Sequence, residues 1–257
     1  MAKYDYALFI LLILWAWPVA ALQVSLWVEQ KANEYKGYDE LITNITYVEY
    51  QNKTYYWVDY SRMLVYSGSL LIGPDCKAAE DGPTLELFIT ADMIHKNYPP
   101  ESVGQWKEFS RYFDFFSVAY RSSHPELSKD ARNIAVSLNG SADALQCAIA
   151  SYSPQATEEY LRSQDMLIEQ MEAAYINSMN SSEESPGYLG EYKDALLNIG
   201  KTIKESRQGL TNAAGYMAGN MHLRVASEKN RPLFEIIMAG ASGAVILFVL
   251  LIRLFKR

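Results

Sequence analysis

The sequence predicts an α+β protein that is mostly helical: a small antiparallel β-module, an α-helical bundle built on an antiparallel helical hairpin, and one C-terminal transmembrane helix. Three observations lead there. Residues 46–60 are dense in aromatic and β-branched side chains, apolar residues from Pro99 onward recur every three or four positions, and an uncharged run from Ile236 to Ile252 is followed by basic residues. The expected division is a signal peptide at 1–21, a β-rich module at 22–98, a helical bundle at 99–231, a transmembrane helix at 232–254 and a short cytoplasmic tail at 255–257.

The N-terminal segment has the three parts of a secretory signal. Lys3 supplies the charge, Ala7 to Trp17 the apolar run, and Val19-Ala20-Ala21 the small residues at which cleavage would fall. The apolar run is too short to span a bilayer comfortably. Residues 22–36 fit either a short helix or a first strand. A hairpin follows, Thr46–Tyr50 against Thr54–Tyr60. With Asn52-Lys53 as its loop, Tyr50 would face Tyr55 and Val48 would face Trp57. A third strand is expected at Met63–Tyr66 or Ser69–Ile72, ending at the turn Gly73-Pro74-Asp75, and a further short strand at Thr84–Thr90.

A short helix, the strand Tyr55-Tyr56-Trp57-Val58-Asp59-Tyr60 and then Gly68-Ser69-Leu70-Leu71-Ile72-Gly73-Pro74-Asp75 make residues 24–81 similar to PepSY-type modules. The usual Thr-Gly-Lys-like turn of that family is replaced by Asp75-Cys76-Lys77. The resemblance implies a small α+β fold and an association with restraint of peptidases. It assigns no site residues here.

The helical part opens with an aromatic stripe, Trp106, Phe109, Phe113, Phe116 and Tyr120, spaced to face a core. Pro125 starts the next helix, whose seam runs from Leu127 through Ala131, Ile134, Leu138, Ala142 and Leu145 to Tyr152, with Asn139-Gly140 as a potential kink. Ser153-Pro154 is an N-cap and first-turn proline for a helix reaching about Met179. After the polar loop 180–187, a heptad seam carries Leu189, Tyr192, Leu196, Ile199, Ile203, Leu210 and Met217. It packs either on the preceding helix or on a second copy of the chain. In the last segment Ala239, Gly240, Gly243 and Ala244 form a small-residue face suited to close helix packing.

Cys76 and Cys147 are the two cysteines. Outside the cell they most simply form one disulfide, closing a loop of about 70 residues worth roughly 4 kcal/mol. Two free thiols or a bridge to another chain are the alternatives. Asn44, Asn52, Asn139 and Asn180 begin N-x-Ser/Thr sequons, so the chain is a candidate glycoprotein. The formal charge of -7 argues against nucleic acid and against anionic lipid surfaces. His95, His124 and His222 are dispersed, and no metal site, cofactor or catalytic motif is expected.

These features lead us to expect a non-catalytic protein of the cell membrane, single-pass, with its N-terminal domain outside and its C-terminus cytoplasmic. Its ectodomain would bind another envelope protein, pair with a second copy, or form part of a membrane complex. The alternatives are a sensory, ligand-binding ectodomain and a PepSY-like regulator of a peptidase.

Overall fold

In the computed structural model the chain is mostly helical, with one three-stranded antiparallel sheet in the order β1-β2-β3. Residues 26–75, 77–79, 82–180 and 188–255 are described, the side chains of 228–255 excepted. The chain divides into two compact units, residues 1–80 with 219–257 and residues 81–218.

In the first unit, residues 26–34 form helix α1. The sheet follows as β1 (Glu40–Tyr50), β2 (Lys53–Arg62) and β3 (Val65–Ile72). Gln51 and Asn52 make the first turn, both with positive φ, so Tyr50 pairs with Lys53 and Val48 with Tyr55. The turn thus lies one residue earlier than the sequence suggests. The left-handed backbone at both central positions explains this, because Asn tolerates it at the second and the strand twist selects it. Each partner shifts by two residues, so the faces are unchanged. Tyr50 and Tyr55 still meet diagonally, with ring centroids 6.4 Å apart. The two alternatives for the third strand fuse into one. Val58, Tyr60, Leu70 and Ile72 share a face, and they pack with Val28 and Ala32 of α1 and with Val225. The Tyr60 hydroxyl donates to the Ala32 carbonyl at 2.9 Å and ties α1 to that face.

The second unit begins with α2 (Pro83–Asn97) and continues with α3 (Glu101–Ala119), α4 (Pro125–Ala150), α5 (Pro154–Met179) and the start of α6 (Tyr188–Phe255). The strand expected at Thr84–Thr90 is helical. Pro83 enters at the first turn, and burial runs without interruption from Phe88 to Asp92 rather than alternating as in a half-buried strand. Helices α3 to α6 form an antiparallel four-helix bundle. Ser110 donates to the Ala135 carbonyl between α3 and α4, Ser141 bonds Ser163 between α4 and α5, and Arg207 pairs with Asp165 between α6 and α5. The aromatic stripe faces this core: Phe113 and Phe116 of α3, with Tyr120 at its C-terminal end, pack on Tyr192 of α6. Ser153 caps α5 by accepting from the Ala156 amide, while α4 runs unbroken through Asn139-Gly140.

Two expectations are corrected. The segment 232–254 is not a separate transmembrane helix after the bundle. It is the end of α6, and among the described residues no helix is long and apolar enough to cross a membrane. In the bundle part of α6 buried seam positions alternate with exposed Lys201, Lys204 and Glu205. The fold class of the described residues is therefore a helical bundle with a small sheet. The Cys76–Cys147 disulfide is not formed either. Cys147 is a free thiol on the exposed side of α4, with Ala144, Leu145 and Ala148 taking the core-facing positions around it. Cys76 lies outside the described residues.

Candidate functional site

Two surface features carry more apolar area than folding requires. One is the tip of the β2–β3 hairpin. Arg62 pairs with Val65, so Met63 and Leu64 alone make the turn. Their φ angles are 48° and 65°, and they are 87% and 94% exposed. Asn and Gly are the residues that suit such a two-residue turn, and left-handed backbone costs a bulky L-residue about 1–2 kcal/mol. Val65 and Tyr66 extend the apolar surface along β3. The start of β1, in register with the end of β2, adds exposed Tyr38 and Leu41. Asp39 and Arg62 pair at 2.9 Å beside the tip.

Beneath the tip the hairpin is braced. On one face Asp59 Oδ1 accepts from Trp57 Nε1 at 3.1 Å and from Ser69 Oγ at 2.6 Å, and Ser69 shares a further hydrogen bond with the Tyr66 hydroxyl. On the other face Arg224 of α6 holds both carboxylate oxygens of Glu40 and lies 4.5 Å over the Tyr60 ring. Gly68, opposite Tyr60 with φ 144°, makes room for the guanidinium: a Cβ there would sit 3.1 Å from Arg224 Nη2. These polar groups are engaged with one another, which suits a scaffold better than proton transfer. Burial pushes Tyr120 up to about 12 and drives Tyr60, Tyr160 and Tyr192 higher still, so none of these phenols is an acid or base near neutrality.

The second feature is an open groove of about 360 Å³ between α5 and α6. Ile168, Met171, Tyr175 and Ile176 form one wall, and Leu196 and Leu197 the other. Gly200 leaves its floor low, with Met171 Sδ 3.5 Å from where a Cβ would stand. Glu172, Lys201 and Lys204 stand at the edge.

Of the residues singled out in the sequence, seam positions Leu189, Tyr192, Leu196, Ile199, Ile203 and Leu210 are buried in the bundle of their own chain, and Met217 is half-buried. The sequon asparagines Asn44, Asn52, Asn139 and Asn180 are all exposed, at a β-bulge, a turn, a helix surface and a helix end. The side chains of Ala239, Gly240, Gly243 and Ala244 lie outside the described residues. Met63-Leu64 gives no turn signal in the sequence, because neither residue is a turn former. The groove depends on which residues face each other across two helices.

No protein-family model, curated protein or solved structure matches the chain. The similarity of residues 24–81 to PepSY-type modules therefore remains a resemblance, and the site is argued from its own geometry.

Proposed function

We propose that this chain is a non-catalytic binding protein that docks a protein partner through the β2–β3 hairpin tip. The observation that carries the reading is the pair Met63-Leu64, apolar, almost fully exposed and held in left-handed backbone on a braced hairpin. Such a tip costs stability through strain, and its exposed apolar side chains return none of it. Burial in a concave apolar pocket of a partner would offset that cost. A protein fits better than a lipid surface. The chain is acidic, at -7, and an Asp39–Arg62 ion pair flanks the tip, so an anionic bilayer would repel the molecule and desolvate that pair.

Placement outside the cytoplasm belongs to the same proposal and rests on residues 1–21. The reading does not need a spanning helix. A photo-reactive side chain at Leu64, activated in the source cells, tests it. One defined protein adduct is expected. Adducts to lipid alone, or none above a control site on α4, would overturn it. A second reading, ligand binding by the helical bundle, is favoured by the α5–α6 groove.

A further inference from the structure

The geometry points to the α5–α6 groove as a binding site for a small amphipathic carboxylate, a medium-length alkyl chain with an anionic head. This site is separate from the hairpin tip and stands or falls without it.

Size comes first. At about 360 Å³ the groove lies at the lower end of small-molecule sites, and it accepts one chain rather than a helix laid along its length. Lining comes second. Met171 and Tyr175 face Leu196 and Leu197 across it, and a Cβ at Gly200 would stand in ordinary contact with the Met171 sulfur, so a side chain longer than alanine's would crowd the groove floor. Polar atoms are nearly confined to the edge, so an apolar tail loses water without stranding a donor or acceptor.

Charge decides the head group. Of the three ionisable edge groups, Lys201 and Lys204 are cations one turn apart on α6 and Glu172 is the anion, in a protein whose net charge is -7. Each has a glutamate near it, Glu205 and Glu172, but at 3.8 Å in both cases and in exposed positions. Pairs that long and that solvated contribute little. Both ammonium groups can turn to a carboxylate at the groove mouth at small cost. A cationic head would meet Glu172 among the groove residues and would face both lysines.

Calorimetric titration of the purified full chain with sodium dodecanoate, dodecanol and dodecyltrimethylammonium, each below its aggregation limit, tests the assignment. One saturable site for dodecanoate is expected, with dodecanol at least tenfold weaker and the cation weaker again. Gly200→Leu should weaken dodecanoate binding at least tenfold. Leu197→Glu, at an exposed wall position, should do the same if Gly200→Leu fails to fold. The double change Lys201→Glu with Lys204→Glu should reverse the preference between anion and cation. Absence of saturable binding, equal binding of all three amphiphiles, or binding indifferent to the folded groove variants would overturn the site.

Discussion

Arg224 grips Glu40 with both terminal nitrogens, at 2.7 and 2.9 Å, although the two residues are 184 positions apart in the chain. Glu40 is 6% exposed and Arg224, at 16%, is half-buried. Removing the arginine leaves the carboxylate with the Gly37 amide but without its charge partner, which costs up to about 3 kcal/mol. Arg224→Ala is therefore expected to lower the denaturation midpoint strongly. Arg224→Lys should recover little, because lysine lacks the planar fork that bonds both oxygens and stacks on Tyr60. Chemical denaturation of the three proteins checks this, and a lysine variant equal to the wild type would contradict it.

The same pair makes stability depend on pH. Burial is the largest influence on the Glu40 carboxyl and pushes it up. Hydrogen bonds from Arg224, the Gly37 amide and Ser67, with the arginine charge, outweigh burial and hold the carboxyl below its ordinary 4.5. The folded protein thus takes up this proton less readily than the unfolded chain. The stabilisation is complete above about pH 4.5 and is lost as pH falls through the lower folded value. Wild-type stability should fall more steeply below pH 4.5 than that of Glu40→Gln, while the wild type is the more stable at pH 7. Parallel curves from urea titrations at several pH values would count against the pair.

The hairpin tip should trade stability for function. Replacing Met63-Leu64 by Asn-Gly puts residues suited to left-handed backbone where strained ones stand. A gain of about 1–2 kcal/mol is expected, read as a rise in the thermal midpoint of a few degrees. A fall in the midpoint would show that the two apolar side chains serve the fold.

Cys147 should behave as a free surface thiol. In a Cys76→Ser protein, native and without reductant, one maleimide per chain is expected to react within minutes, with no change in helical circular dichroism. Labelling that requires denaturation would contradict the placement of this residue on the open side of α4.

The bundle was legible because its signals are local. Ser153-Pro154 marks a helix start by its own chemistry, and the stripe from Trp106 to Tyr120 repeats at the helical period. Helix α2 shows no such period, because it is buried continuously from Phe88 to Asp92, and Thr84-Leu85-Glu86-Leu87-Phe88-Ile89-Thr90 imitates a strand. A run of apolar residues suggests a spanning helix and a count of two cysteines suggests a disulfide, and neither signal carries three-dimensional placement. The rest is long-range. Nothing near Glu40 announces Arg224, and nothing near Gly200 announces Met171. The strain at Met63-Leu64 exists only because the register of β2 and β3 forces two poor turn formers into the tip.

Photo-cross-linking at Leu64 in the source cells, run in parallel with a control on the exposed face of α4 at Val136 and with a Met63→Asn chain, tests the central claim most directly. The account predicts one protein adduct at Leu64, weakened in the Met63→Asn chain and missing at Val136. The same adducts at both positions, or none at Leu64 while the fold is intact, would contradict it.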